Sequence, residues 1–246
     1  MRILAIYTHP ADLACEASGT LALHVGRGDT VNVVIVTNGE DHHNVISENI
    51  NGTKMVEASA VCSLLGLAPP HFLFTPDRTF NPSRSTALRI SHEIEKLKPD
   101  IIITHMPISN AKYSGEHEVV GETVRRAIVL SKHKPDQAFY FPMDNSLDTT
   151  DMLCHGLVCD IWIDTTPVIK KKLAAINLIK SQGYDGKCAR KIIEARDGRW
   201  GMLAGCSYAE PFLRARAQTY EHLPREKPPV TGPNGLQVEY KLLGDV

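Results

Sequence analysis

The feature that most restricts this chain is the alternation, from Arg2 to Leu130, of short and almost wholly apolar runs with longer segments of helical period. Residues 2–7 form such a run, which stops at Thr8-His9-Pro10. That is the pattern of a strand buried on both faces that delivers polar groups at its carboxyl end. A helix is expected over about Ala14 to Gly26, with Gly26 and Gly28 as stop signals, and a second buried strand from Thr30 to Val36. The alternation predicts further helices near residues 54–65, 83–97 and 118–130, and strands near 72–74 and 100–104. Strands separated by helices pair in parallel through right-handed crossovers. The expected fold class is therefore α/β, with a Rossmann-like, mostly parallel sheet flanked by helices.

After Pro135 the regularity drops, with strands expected near 139–141 and 160–163 and helices near 168–182 and 186–196. From Pro224 the run Pro-Arg-Glu-Lys-Pro-Pro-Val-Thr-Gly-Pro-Asn-Gly is rich in helix and strand breakers. The organisation expected is one catalytic domain over 1–223 and an irregular arm over 224–246, lying on the surface or on a neighbouring subunit. A homo-oligomer is compatible with such an arm. A chain of 246 residues falls within the range of one large domain.

Twenty-seven basic residues against 28 acidic ones give a net charge of −1, so no global field draws the chain to nucleic acid or to an anionic membrane. The partner expected is a small molecule. The six cysteines are scattered without a Cys-x-x-Cys pair, which removes zinc-ribbon and thioredoxin-type motifs and points to free thiols in a reducing compartment. The opening apolar run is too short for a signal-peptide core or a membrane span. A cytoplasmic location is expected.

His9 and Asp12 lie three apart just after the first strand, where a tight turn can aim an imidazole and a carboxylate at one spot. Such donors suit zinc. A catalytic zinc needs a third protein ligand and an open position, and His117, ahead of the helix that follows the strand at 100–104, is the best-placed third donor. Carboxyl ends of parallel strands converge on the ligand crevice, so both strands can supply it. Taken alone, His-x-x-Asp is a weak motif, and the bland reading makes His9 and Asp12 helix-end residues and His117 a surface side chain. A dinucleotide-binding site is excluded, because His-Pro-Ala-Asp stands where a glycine-rich phosphate loop would be.

The segment Thr8-His9-Pro10-Ala11-Asp12-Leu13 resembles the Ala-His-Pro-Asp-Asp-Glu hallmark of the PIG-L/LmbE superfamily of zinc-dependent de-N-acetylases. Gly19-Thr20-Leu21-Ala22, Val36-Thr37-Asn38-Gly39-Glu40, Pro76-Asp77, Lys98-Pro99-Asp100 and Tyr208-Ala209-Glu210-Pro211-Phe212 are similar to family segments in the family's order. The resemblance implies that His9, Asp12 and His117 are ligands of zinc or another divalent metal, and that the activity is removal of an N-acyl group from a small polar substrate such as an amino sugar.

Two departures accompany these matches. The resemblance implies a general base at the first motif aspartate, and Ala11 stands there; Ser114 stands where a second histidine would assist the oxyanion or the leaving amine. Glu16 or Glu116 can replace the missing base, and His42, His43 or His105 can handle a proton. Alternatively the chemistry is hydration of an oxo-acid, because the superfamily looks like it contains a hydratase branch, resembling 4-oxalomesaconate hydratase, in which a similar loss of the first aspartate is expected. A pseudoenzyme that keeps its metal is the third alternative. Lys54, Asp77, Tyr113 and Glu210 are the expected substrate contacts, with Lys112 and Arg78 as further cations.

Overall fold

The computed structural model describes residues 1–39, 50–77, 83–107, 115–142, 159–217 and 243–244. Seven strands form one sheet: β1 (Arg2–Tyr7), β2 (Thr30–Thr37), β3 (His71–Thr75), β4 (Ile101–His105), β5 (Gln137–Phe141), β6 (Ile161–Asp164) and β7 (Ala209–Arg214), in the order β3-β2-β1-β4-β5-β7-β6. The first five are mutually parallel, and β7 runs antiparallel to both β5 and β6. The fold is the expected mostly parallel α/β sheet.

The apolar runs are explained by where their strands lie. Ile3, Leu4, Ala5, Ile6 and Tyr7 are fully buried because β1 is central, and alternation sends them to two cores. Ile3, Ala5, Tyr7, Val31, Val33 and Ile35 face one core, while Leu4, Ile6, Val34, Val36 and Ile102 face the other. The second core is closed by α4 (Arg84–Leu97) and α5 (Gly115–Leu130). Ser83 starts α4 by accepting the Thr86 N–H at 3.2 Å. Over the first core lie α1 (Asp12–Cys15), α2 (Ser18–Gly26), α3 (Ile50–Leu65), α6 (Ile169–Ile176) and α7 (Lys187–Ile192), which leads into a π-helix (Ile193–Gly198) and α8 (Arg199–Ala204).

Three expectations are corrected. The helix read over Ala14–Gly26 is two helices, broken at Glu16 and Ala17, because the N–H groups of Gly19 and Thr20 turn to the Glu210 carboxylate at 2.9 and 2.7 Å. The helix read over 168–182 ends at Ile176, where the Asn177 side chain donates to Leu173 O and accepts from Gly186 N. The strand β7 was not foreseen, since Pro211 argues against a ladder position. Pro211 sits opposite Trp162, and β5 pairs with β7 only through Phe139–Arg214 and Tyr140–Leu213, so no partner needs the missing donor.

The five described cysteines are unpaired thiols, and no described helix is long and apolar enough to cross a membrane. At the far end of the chain Leu243 is buried in the first core, and its N–H reaches Glu194 Oε1 at 3.2 Å. The rest of the expected arm, residues 224–242 and 245–246, lies outside the described residues.

Candidate metal centre

From β1 the sheet proceeds to β2 and β3 on one side and to β4 and β5 on the other. The chain therefore reverses its order between β1 and β4, and crevices at such points open at the strands' carboxyl ends. His9 follows β1 there, His105 closes β4, and Glu116 and His117 lie in the first turn of α5, the helix after β4. Gly121 lets α5 come this close: a Cβ there would stand 2.4 Å from the His105 carbonyl oxygen.

Three donor atoms converge. His9 Nδ1 is 3.1 Å from His117 Nε2, His117 Nε2 is 3.3 Å from Asp12 Oδ2, and His9 Nδ1 is 3.7 Å from the same oxygen. Donors bound at ~2.0–2.1 Å in a tetrahedron stand about 3.3–3.4 Å apart, so these edges bracket the spacing that zinc requires. Both imidazoles are buried, and Asp12 is further held by the His9 backbone N–H at 2.7 Å. Burial raises the Asp12 carboxyl, but the charge and hydrogen bond of His117 outweigh it and hold the group well below the usual carboxylate range. The same pairing raises His117 against its own burial.

His9 Nε2 stands 3.0 Å from Glu116 Oε2. A carboxylate there keeps the ring proton on Nε2 and leaves the Nδ1 lone pair for a metal. Asp77 lies on the same side: one ligand atom each from His9, Asp77 and Glu116 falls within a 4.8 Å cluster. The Asp77 Oδ1 accepts the Gly39 N–H at 2.8 Å, and the Lys54 ammonium donates to the Gly39 carbonyl. Lys54 is nearly fully buried, and desolvation lowers its pKa against the pull of Asp77, Glu57 and Asp12. Lys54 and Asp77 thus border the centre.

Three other expected site residues have different surroundings. His105 is fully buried, and its Nε2, 3.4 Å from Asp12 Oδ2, accepts the Thr8 N–H at 3.0 Å. Burial foremost pushes its pKa down to about 4, so it is a neutral prop for the backbone just before His9. Glu16 forms a buried pair with Arg196 at 3.2 Å, and burial raises its carboxyl despite that cation. Glu210 is only 1% exposed, with its carboxylate taken up by Gly19, Thr20 and Lys172, so the expectation that it meets substrate is replaced by an anchoring position at the start of α2. His42, His43, Lys112, Tyr113, Ser114 and Arg78 lie outside the described residues. Ala11, 5% exposed, places only a methyl group where the resemblance implies the base.

Sequence reasoning gave no site role to Lys172, Arg196 or Asp197, all buried around Glu16 and Glu210. Lys172 reads as part of a solvated Lys-Lys-Lys run. Arg196-Asp197 reads as a surface pair at the end of a helix. The one available signal was that Arg196 and Asp197 stand at helical spacing from Ile192, Ile193 and Trp200, on an otherwise apolar face.

Residues 4–128 match the family described as GlcNAc-PI de-N-acetylase, PIG-L. A 1D-myo-inositol 2-acetamido-2-deoxy-alpha-D-glucopyranoside deacetylase of Mycobacterium sp. (strain JLS) is 25% identical, with 74% of each chain covered. A 4-oxalmesaconate hydratase of Pseudomonas putida (strain KT2440) is 21% identical over the same share of each chain. Among solved structures, the 4-carboxy-2-hydroxymuconate hydratase from Pseudomonas putida KT2440 superposes with a TM-score of 0.74 at 20% identity, covering 91% of this chain and 99% of that one.

Proposed function

The chain belongs to the GlcNAc-PI de-N-acetylase (PIG-L) family, and on that premise we propose that it is a metal-dependent hydrolase removing an N-acyl group, acetyl in the first instance, from a small polar substrate such as an amino sugar. The observation that carries this reading is the triangle of His9 Nδ1, Asp12 Oδ2 and His117 Nε2, with edges of 3.1 to 3.7 Å, beyond the carboxyl ends of β1 and β4. The deacetylase among its relatives supports it. Two imidazoles and one carboxylate suit zinc, and they would hold it or another divalent ion with a position left open. When bound, that ion would supply an activated water and a Lewis acid for the acyl carbonyl.

The chain's own residues supply the rest. Glu116 fixes the proton on His9 Nε2 and is the better placed of the two candidate bases: its side chain is 15% exposed beside the centre, whereas Glu16 is tied to a buried guanidinium. A proton leaving the attacking water would reach Glu116 through one intervening water. Lys54 and Asp77 would orient hydroxyl groups of the substrate from the β2–β3 side, with Tyr113 as a further contact and His42 as a candidate to handle a proton. The reading covers 1–223 as the catalytic unit, with a cytoplasmic location and homo-oligomeric assembly proposed alongside.

A second reading is favoured by Ala11. Where hydrolysis lacks its usual carboxylate, the same centre and the nearby ammonium of Lys54 would instead suit hydration of an unsaturated oxo-acid, as the names of two relatives suggest for those proteins. Paired assays decide between them: acetate release from N-acetylated amino sugars and water addition to unsaturated oxo-acids, each with and without added zinc. Metal-dependent acetate release supports the hydrolase; hydration without acetate release replaces it.

A further inference from the structure

Asp12 opens a helix of only four residues, too short to hold its own place. What fixes α1 is a buried group of five charges. The Arg196 guanidinium donates to the Cys15 carbonyl, the last of α1, and pairs with Glu16 Oε1 at 3.2 Å. Lys172 Nζ donates to the Glu16 carbonyl at 3.1 Å and sits 2.6 Å from Asp197 Oδ2 and 2.7 Å from Glu210 Oε1. Glu210 in turn binds the first N–H groups of α2. Both ends of the Glu16–Ala17 break are therefore clamped from behind by side chains of α6, β7 and the π-helix.

The π-helix is what makes the clamp possible. Arg196 and its neighbour Asp197 are 8% and 0% exposed, although adjacent residues of an α-helix point about 100° apart. The widened turn of Ile193–Gly198 carries both into the interior, and Arg196 Nε pairs with Asp197 Oδ1 at 3.1 Å. Single-turn π insertions of this kind recur at functional sites.

We propose that Arg196 is a positioning residue for the metal centre: through Cys15 O and Glu16 it sets where α1 presents the Asp12 carboxylate, and so it sets metal affinity without touching the metal. This rests on the proposed ligand triad. A merely structural Arg196 would change stability alone.

The test is zinc affinity of the full chain, measured by competition with a chromophoric chelator, for wild type, Arg196→Met, Arg196→Lys and Ile94→Ala. Ile94 lies in the core on the other face of the sheet, so its truncation destabilises the fold away from the clamp. The expected result is a loss of about tenfold or more in Arg196→Met, the range for groups that orient ligands. Partial recovery is expected in Arg196→Lys, which keeps the charge and loses the fork. Ile94→Ala should bind like wild type, with each variant shown to be folded by circular dichroism before metal is added. Should Arg196→Met fail to fold, Arg196→Lys carries the test with a smaller expected loss. Wild-type affinity in the folded Arg196 variants, or an equal loss in Ile94→Ala, overturns the proposal. Absence of zinc binding in the wild type would remove the ligand triad itself, a separate failure.

Discussion

Glu116 Oε2 lies 3.0 Å from Nε2 of His9, while Nδ1 of the same ring points to His117 and Asp12. One imidazole is thus held by a carboxylate on one side and offered to a metal on the other. Substitutions separate the two duties given to Glu116. Glu116→Gln retains an acceptor for Nε2–H but no base, so metal affinity should stay close to wild type while kcat/KM falls about 10²–10⁴-fold. Glu116→Ala should lose about 10–100-fold in metal affinity as well. Chelator competition and steady-state kinetics check both, and equal effects of the two substitutions on metal affinity would remove the orienting role.

Ala11 stands where the resemblance implies a carboxylate. In the hydrolase reading, Ala11→Asp should raise kcat for acetate release by roughly 10-fold or more, within the range of general-base effects. A fall in acetate release together with a fall in hydration of oxo-acids would favour the hydratase reading. The measurement is kcat for both reactions in one preparation.

Proton uptake at His117 should oppose metal binding. Burial lowers the pKa of this ring, but the charge and hydrogen bond of Asp12 outweigh it and leave it raised above 6.5 in the metal-free chain. A ligand must shed that proton, so metal affinity should climb with pH, by up to about one log unit per pH unit below the His117 pKa, and level off above it. Isothermal titration with zinc at several pH values reads the slope; a flat profile between pH 6 and 8 would contradict it.

His105 acts on stability in the opposite sense to His117. With its folded pKa near 4, His105 stays neutral while the unfolded chain gains a proton below about pH 6.5. The unfolded state therefore binds more protons between those values, and stability is lost as pH falls through that window, by about 2 kcal/mol at pH 5. His117, with a raised pKa, contributes stability below about pH 6.5 that is lost as pH rises. Urea unfolding of metal-free wild type and His105→Gln at pH 7 and pH 5 isolates the first effect: the wild type should lose more stability than the variant.

Much of this molecule was legible in its sequence. The buried strands β1, β2 and β4 announce themselves as apolar runs because both faces of a central strand are covered, whereas the switch between β1 and β4 depends on a strand order that only the structure gives. His9, Asp12 and His117 could be named because local pattern places them at a strand end and a helix start and the resemblance to the PIG-L/LmbE superfamily implies that they are ligands. What was not legible depends on long-range pairing. Glu210 looks like a pocket residue until its 191-residue reach to Gly19 is seen, and Lys172 looks solvated until Asp197 and Glu210 are found beside it. The antiparallel β7 hides behind Pro211, whose cost depends on which neighbours it faces.

The most direct test of the central claim is elemental analysis of the purified full chain beside its Asp12→Ala and His117→Ala variants, with folding matched by circular dichroism. The account predicts about one equivalent of zinc or another divalent metal in the wild type and its loss in both variants. A folded wild type without stoichiometric metal, or variants that retain it in full, would contradict the centre on which the proposed activity rests.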